Sequence, residues 1–225
     1  MCARYLVDDE AFDINEIINA AERNIRETGA VVHEGLHGDG SIVTSEHRAA
    51  GSYVAGSFRY GEIFPGTYAP VIDASQSATF MLWGFPSLMH GKQPHINARS
   101  ETAGEKRTFN ESMRSRRCLV PASGFYEWKT MSNKQKEKYE ITLPDRASMY
   151  MAGIYSDDGR FAILTRAASP SVAGIHDRMP VILPEDLSEV WLSESPDLLE
   201  EAITEVILQH IPKVIKEPSQ MSLFA

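Results

Sequence analysis

Arg117 to Trp128 has the sequence RCLVPASGFYEW, and this segment indicates the fold class more clearly than any other. Two runs of apolar character flank a central Pro-Ala-Ser-Gly group. β-Branched and aromatic residues favour strands, whereas Pro, Ser and Gly favour turns. We therefore predict a strand, a turn and a second strand. Cys118 lies inside the first apolar run, which favours a buried structural thiol.

The segments on either side extend this pattern. Lys129 to Lys138 is polar and predicts a hairpin connection. The strand candidates after it are Tyr139 to Leu143, Met149 to Tyr155 and Phe161 to Thr165. Apolar residues at helical spacing predict peripheral helices over about 13–28, 185–193 and 197–208. We expect a single compact α+β domain, mainly antiparallel β, with a barrel-like sheet.

The composition is that of an ordinary globular protein. A chain of 225 residues with 43% hydrophobic residues suits one domain. It has no apolar run of about 18 residues and no basic-then-apolar leader, so we expect a cytoplasmic monomer without membrane contact. The net charge of −9 argues mildly against nucleic acid. However, Lys92 to Arg146 holds 12 basic and 7 acidic residues, which is compatible with a basic face.

One histidine-rich stretch is a candidate for metal binding. His33, His37 and His47 lie among Gly and Ser residues, and no thiol or carboxylate accompanies them at a recognised ligand spacing. Solvated loop histidines are the simpler interpretation. We expect neither a metal nor an organic cofactor.

The N-terminus offers an unusual nucleophile. Cys2 follows Met1, and a small second residue permits removal of the initiator. A terminal cysteine then carries an α-amine with a pKa of about 7.7–8.0 and a thiol with a pKa of about 8.5. Both groups are nucleophiles near neutral pH. Such a residue attacks an acyl group or condenses with an aldehyde to a thiazolidine; the alternative is an ordinary residue at a frayed terminus.

Three further polar residues stand in distinctive motifs. Asn97 opens NARSET, Glu127 lies between two aromatic residues, and His176 opens HDRMPVIL. Taken singly, each suits an ordinary role as a turn cap, an exposed carboxylate or a surface imidazole. Together with MCARY at the start, the segment RRCLVPASGFYEW, and MAGIY from Met151, these motifs resemble the SRAP family. Members of that family process abasic sites and crosslink to single-stranded DNA.

The resemblance implies covalent capture of an abasic site, whose ring-opened sugar presents an aldehyde. The α-amine of Cys2 would form a Schiff base, and its thiol would close the thiazolidine. Asn97 would hold the sugar or the amine. Glu127 and His176 would move the protons, and either one suits the role of acid or of base. The resemblance also implies self-processing, in which the site removes Met1, and protection of abasic sites during the DNA damage response.

An abasic nucleotide has no base to read, so recognition is left to phosphate contacts and stacking on neighbouring bases. The phosphate candidates are Arg4 and Arg99, and the stacking candidates are Trp83 and Phe85, with core packing as their alternative. Two positions depart from the family pattern. Ala3 replaces the usual Gly, which reduces flexibility beside the nucleophile. Leu82 stands where a basic residue is expected, which removes one phosphate contact.

The end of the chain carries a separate motif. After a catalytic domain expected over residues 1–218, the tail 219–225 contains QMSLF, which resembles the bacterial sliding-clamp-binding pentapeptide with Met in place of Leu. Gln220 would be the hydrogen-bonding anchor, and Leu223 and Phe224 would be the apolar anchors in a groove on the clamp. A frayed tail, or one folded onto its own core, is the alternative.

Two other functions fit parts of this pattern. An N-terminal-cysteine amidohydrolase also places Cys2 after Met1 and uses the free amine as a base, but it does not account for the motifs around Glu127 and His176. A non-covalent single-stranded-DNA-binding module would leave Cys2 incidental. We expect a cytoplasmic protein that associates with the nucleoid when bound to DNA.

Overall fold

Strands dominate the protein in a computed structural model that describes residues 2–28, 52–54, 57–88, 93–193 and 206–211. In chain order the elements are β1 (Arg4–Val7), α1 (Phe12–Thr28), β2 (Ser52–Val54), β3 (Ser57–Arg59), β4 (Gly61–Ile63), β5 (Tyr68–Ile72), β6 (Ala78–Trp83), β7 (Asn97–Arg99), α2 (Ser100–Ala103), α3 (Asn110–Ser115), β8 (Arg117–Ala122), β9 (Gly124–Thr130), β10 (Lys136–Thr142), β11 (Met149–Tyr155), β12 (Arg160–Ala167), α4 (Pro170–Ala173), β13 (Arg178–Pro180), β14 (Ile182–Leu183), α5 (Glu185–Ser193) and β15 (Ile207–Ile211).

The RCLVPASGFYEW segment forms β8, a bend and β9, which confirms the predicted strand, turn and strand. The two strands do not pair with each other, because β8 pairs with β5 and β11 whereas β9 pairs with β1 and β10. At the bend, the backbone N–H of Ser123 donates to the carbonyl of Leu6 at 2.8 Å, and its hydroxyl accepts from the N–H of Asp8 at 2.9 Å. Ser123 thus marks the point where the chain passes from one sheet to the other.

The first sheet closes on itself as a barrel. Its ring runs β12-β6-β5-β8-β11 and returns to β12, where Gly153 of β11 lies opposite Ile163. Only the β12–β6 pair of this ring is parallel. The expected α+β fold with a mainly antiparallel, barrel-like sheet is therefore confirmed. β7 and β13 pair with β12, and β14 pairs with β11, outside the ring.

Cys118 lies in the closely packed part of this barrel. Its side chain is fully buried, which confirms the predicted buried thiol. It faces Gly153 on β11, where an added Cβ would lie 2.8 Å from the Cys118 sulfur. A distance this short is well below van der Waals contact, so position 153 requires glycine.

The second sheet has the order β15-β10-β9-β1-β4, and all its pairs are antiparallel. β9 and β10 form the predicted hairpin. β15 corrects the third predicted helix: instead of continuing a helix over 197–208, Ile207–Ile211 pairs with β10, with Leu208 opposite Ile141. The hydrogen bonds offered by the edge of β10 override the local helical pattern. Residues 197–205 of that prediction lie outside the described part of the chain.

The helices cover the sheets. Ile14, Ile18 and Ala21 of α1 are at most 2% exposed and recur every three or four residues, which gives the helix one apolar face against β5 and β6. α1 lies within one residue of its predicted range, and α5 matches the predicted 185–193. Within the described residues, none of the helices has the length and apolar character to cross a membrane.

Arg117, at the start of β8, holds two helix ends with one buried guanidinium. It is 5% exposed and donates from Nε to the carbonyl of Trp191 at 2.6 Å and from Nη1 to the carbonyls of Met113 and Arg114, each at 2.8 Å. These carbonyls belong to the last turns of α5 and α3, which lack intrahelical partners and carry partial negative charge. A single side chain therefore satisfies both helix termini.

An ion pair joins two of the sequence motifs. Arg178 in β13 donates to both carboxylate oxygens of Glu101 in α2, at 2.6 and 2.8 Å, and also to the carbonyl of Thr165 in β12. The hydrogen bond from Arg178 holds the pKa of Glu101 at about 2. The bidentate pair fixes the segment that carries Asn97 relative to the segment that carries His176.

Replacing Glu101 by Gln is expected to lower the melting temperature at neutral pH by roughly 1–3 °C, since the pair is partly exposed to solvent. The pKa of Glu101 is depressed in the folded state, so its contribution is complete above the ordinary value near 4.3 and is lost as the pH falls toward 2. Thermal unfolding of wild type and Glu101→Gln at several pH values tests this. The two melting temperatures should converge between about pH 4 and pH 2.

The matched control is Glu185→Gln, which removes a carboxylate from a more exposed pair with Arg146 at 3.2 Å. A melting-temperature difference for Glu101→Gln that stays constant with pH, or that equals the control, would contradict the role of the pair.

Candidate active site

Cys2 lies in the core of the protein, two residues before the start of β1. Its side chain is 0% exposed, packs in the same apolar cluster as Tyr5 and Trp83, and its sulfur lies 3.5 Å from the carbonyl of Arg4. Burial raises the pKa of the Cys2 thiol, and the negative charge of Glu127 raises it further. The thiol is therefore protonated at neutral pH, and any reaction at sulfur requires a group that removes its proton.

Glu127 is the carboxylate beside that thiol. It lies in β9, which is next to β1 because Tyr126 of β9 pairs with Arg4 of β1. Glu127 is only 3% exposed. Because side chains alternate along a strand, Glu127 shares the inner face of the sheet with Phe125, whereas Tyr126 and Trp128 share the outer face. The alternation places one acidic side chain inside the protein, where its charge acts on the Cys2 thiol.

Asn97 holds the main chain of Cys2 through a hydrogen bond. It opens β7, which runs parallel to β12 with Asn97 opposite Ile163, and its side-chain Nδ2 donates to the carbonyl of Cys2 at 2.7 Å. The amide oxygen Oδ1 is buried and has no hydrogen-bond partner within the described residues. A buried acceptor without a donor is costly, so this oxygen marks a place where a bound group can donate.

His176 lies between α4 and β13, with its side chain 28% exposed. Its Nδ1 is 3.0 Å from the backbone nitrogen of Arg178 and 2.9 Å from a carboxylate oxygen of Asp177. A neutral ring accepts the Arg178 N–H at Nδ1 and carries its proton on Nε2, whereas a protonated ring donates Nδ1–H to Asp177. The structure thus joins Cys2 to Asn97 by a hydrogen bond and to Glu127 by electrostatic interaction, and fixes His176 through the residues that follow it.

The outer surface of the second sheet carries a group of cations and aromatic rings. The Arg4 guanidinium lies 4.5 Å from the ring centroid of Phe64 and 5.1 Å from that of Trp128. The Lys138 ammonium lies 3.7 Å from the ring centroid of Tyr126. We call this surface the cation–aromatic face; it consists of Arg4, Glu62, Phe64, Tyr126, Trp128 and Lys138.

Most of the cation–aromatic face was missed in the sequence, where Arg4 alone was singled out. The alternation along β9 was the available signal, because an inward Glu127 requires an outward Trp128. The pairing of Lys138 with Trp128, by contrast, depends on the hairpin register. Arg99, the other predicted phosphate ligand, is exposed at the end of β7.

Two predicted stacking residues are instead part of the core. Trp83 is 0% exposed, and its ring is stacked on that of Phe161 with 6.2 Å between the ring centroids. Its indole N–H donates to the carbonyl of Ile96 at 2.9 Å. Phe85 is 4% exposed and packs edge-on against Phe109. Packing in two separate apolar clusters removes both rings from solvent, which corrects the prediction that they stack on a DNA base.

Several predicted residues lie outside the described part of the chain, including the tail anchors and the three clustered histidines. They are Gln220, Leu223, Phe224, His33, His37 and His47. Among the described residues, no group of three or more His, Cys, Asp or Glu side chains is arranged to hold a metal ion.

Comparison with known proteins places this geometry in a family. The abasic site processing protein YoaM of Bacillus subtilis is 39% identical over 116 residues, which cover 47% of this chain and 51% of YoaM. The abasic site processing protein YedK of Escherichia coli is 33% identical over 121 residues, covering 51% of this chain and 54% of YedK. The chain thus spans about half the length of the curated relatives it matches.

A solved structure shows the same fold. A crystal structure of a Bordetella bronchiseptica protein superposes with a TM-score of 0.61 at 19% identity, covering 94% of this chain and all of that one. The family described as SOS response associated peptidase matches residues 1–218, which include Cys2, Asn97, Glu127 and His176. The chain therefore belongs to the SOS response associated peptidase (SRAP) family.

Proposed function

We propose that this protein captures abasic sites in single-stranded DNA through a covalent bond to Cys2. The observation that carries the proposal is the placement of Cys2 between Asn97, which binds its carbonyl, and Glu127, whose charge acts on its thiol. The names of YoaM and YedK, both abasic site processing proteins, supply the substrate class. The capture protects the site from cleavage during the DNA damage response.

Removal of Met1 is the first step. While Met1 is attached, the nitrogen of Cys2 is an amide and not a nucleophile; hydrolysis of the Met1–Cys2 bond turns it into an amine with a pKa near 8. The family description as a peptidase supports removal of Met1 by the site itself. An aminopeptidase acting on the small second residue would yield the same free amine.

The capture reaction joins the aldehyde carbon to both nucleophiles of Cys2. The amine attacks that carbon to give a carbinolamine, which loses the former aldehyde oxygen as water and becomes a Schiff base. The thiol loses its proton, its sulfur bonds to the same carbon, and the nitrogen gains a proton. The product is a five-membered thiazolidine, formed with the net loss of one water.

Glu127 is the base in this proposal because its charge acts directly at the thiol, whose raised pKa makes proton removal the demanding step. His176 is the acid that protonates the sugar ring oxygen as the ring opens: the protonated ring gives up its Nε2 proton, and the neutral ring that remains accepts the Arg178 N–H at Nδ1. The unpartnered Oδ1 of Asn97 accepts a hydrogen bond from the amine or from a sugar hydroxyl.

The DNA strand lies along the cation–aromatic face in this proposal. Arg4 and the exposed Arg99 bind phosphates, and the half-buried rings of Phe64 and Trp128 supply the stacking surface that Trp83 does not. Contacts of this kind recognise a single strand without reading its bases.

The crosslink is tested by mixing the purified protein with single-stranded DNA that carries one abasic site, followed by a denaturing gel and intact-mass measurement. The expected adduct has the mass of the protein without Met1 plus the DNA minus one water. Cys2→Ala should form no adduct, whereas Cys118→Ala, which removes the other buried thiol, should still form it.

Absence of an adduct in wild type that lacks Met1 would refute the proposal. Release of ammonia from glutamine would then indicate the amidohydrolase alternative. Salt-sensitive DNA binding that survives Cys2→Ala, without an adduct, would indicate non-covalent binding alone.

Replacing Asn97 by Asp is expected to slow crosslinking about fivefold or more, since leaving the buried Cys2 carbonyl without its donor costs roughly 1–3 kcal/mol. The carboxylate cannot donate to the Cys2 carbonyl, and it adds a negative charge near the thiol. Single-turnover crosslinking rates measure the effect. Asn24→Asp is the control, because Nδ2 of Asn24 also donates to a carbonyl, that of Ala78, at 3.3 Å. Equal rates for the two variants would contradict the role of Asn97.

The tail of residues 219–225, beyond the catalytic domain of residues 1–218, binds the bacterial sliding clamp in this proposal, with Gln220, Leu223 and Phe224 as anchors. Deletion of residues 220–225 is expected to abolish binding to the purified clamp, measured by calorimetry, and to leave crosslinking unchanged. Unchanged clamp binding would refute this part.

A further inference from the structure

Glu62 occupies the centre of the cation–aromatic face. It lies in β4 opposite Leu6 of β1, and its two carboxylate oxygens have different partners. Oε2 lies 3.4 Å from Nη1 of Arg4, and Oε1 accepts a hydrogen bond from Nζ of Lys138. One carboxylate therefore holds both cations of the face.

The same two cations, Arg4 and Lys138, are the groups of this face that a phosphate would bind. A carboxylate that uses one oxygen for each of two cations makes the contacts that the two non-bridging oxygens of a backbone phosphate would make. The aromatic rings beneath the cations, at 4.5 Å for Phe64 and 3.7 Å for Tyr126, keep both charges over the surface. A phosphate cannot take this position while Glu62 keeps it, since two anions would share one pair of cations.

We propose that Glu62 is an internal competitor of the DNA backbone, which lowers the affinity of the protein for DNA and weakens the dependence of binding on salt. The inference rests on the proposed function, because it assigns the cation–aromatic face to a nucleic-acid strand. A phosphate that arrives at the face displaces the Glu62 carboxylate from Arg4 and Lys138.

The exposure of the three side chains makes this exchange feasible. The side chains of Arg4, Glu62 and Lys138 are 40%, 27% and 20% exposed, so water solvates the ion pairs and a displaced carboxylate. Ion pairs of this kind are weak and readily exchanged. Glu140 lies close enough for its charge to interact with those of Lys138, Glu62 and Asp8, so the surroundings of Lys138 are acidic even when Glu62 moves away.

The consequence is that lasting association with DNA requires the covalent reaction and does not follow from charge attraction alone. Two available cations would attract any single strand, damaged or intact, through counterion release. With Glu62 in place, non-covalent binding is weak, and long residence on DNA depends on the covalent bond at Cys2.

The test is the binding of Glu62→Gln to an intact single-stranded oligonucleotide without an abasic site, measured by fluorescence anisotropy at several salt concentrations. Binding should be roughly three- to tenfold tighter than for wild type near 0.1 M salt. The plot of log K against log salt should be steeper by about 0.7 for each cation released to phosphate. Unchanged binding overturns the inference, and so does weaker binding, which would mean that Glu62 positions the cations for DNA.

Two comparisons make the result specific. Glu111→Gln removes the same charge from a pair with Arg116 at 3.2 Å on α3, so an equal gain in this variant would attribute the effect to net charge and overturn the inference. In a Lys138→Gln background, Glu62→Gln should gain less affinity than in wild type, because one of its two cations is gone. Thermal unfolding verifies that each variant is folded.

The outcome is separate from that of the proposed function. Intact DNA contains no aldehyde, so the reaction at Cys2 does not enter the binding measurement. A wild type that crosslinks abasic DNA but gains nothing from Glu62→Gln refutes the inference alone. A wild type that forms no adduct refutes the proposed function, whatever the variant binds.

Discussion

Hydrogen bonding along both edges of β1 is the constraint on which the site depends. β1 lies between β4 and β9, with Tyr5 opposite Ile63 on one side and Phe125 on the other. A strand paired on both edges is fixed in register, and a fixed register restricts the position of the two residues before it. Cys2 is therefore held as part of the core, although it stands one residue from the start of the chain.

The alternation of side chains then divides the second sheet into two surfaces of different chemistry. The inner surface brings Glu127 to the buried thiol, where low polarity makes its charge effective. The outer surface brings Arg4, Trp128 and Lys138 together, in contact with water. The buried carboxylate and the exposed cations thus lie on opposite faces of one sheet, and changes on the outer surface do not have to disturb the inner one.

Local sequence was enough for some elements and not for others. The hairpin of β9 and β10 and the helix α1 depend on alternation or helical spacing within a short window, and both were predicted. Ile207–Ile211 becomes a strand because it pairs with the edge of β10, which lies far away in the sequence. The residues near Ile207 carry no information about that edge. Trp83 was misassigned for a similar reason, since only the closed barrel shows that its indole N–H has a partner inside.

The residues of the candidate site also differ in whether local sequence was enough to identify them. Cys2, Asn97 and Glu127 were predicted from their motifs, and the structure brings them together. The partners of Arg4 were not predicted, because its contacts with Glu62 and Phe64 cross between strands that are far apart in sequence. Contacts across strands require the register, and the register is a property of the whole sheet.

The central position of β1 also orders events during synthesis. β1 leaves the ribosome before its neighbour β9, which begins at Gly124, roughly 120 residues later in the chain. At about 5–20 residues per second, the nascent thiol spends on the order of 6–24 s without its inner surface. The thiol that ends up fully buried is therefore open to solvent for as long as the strand that carries Glu127 is still to be made.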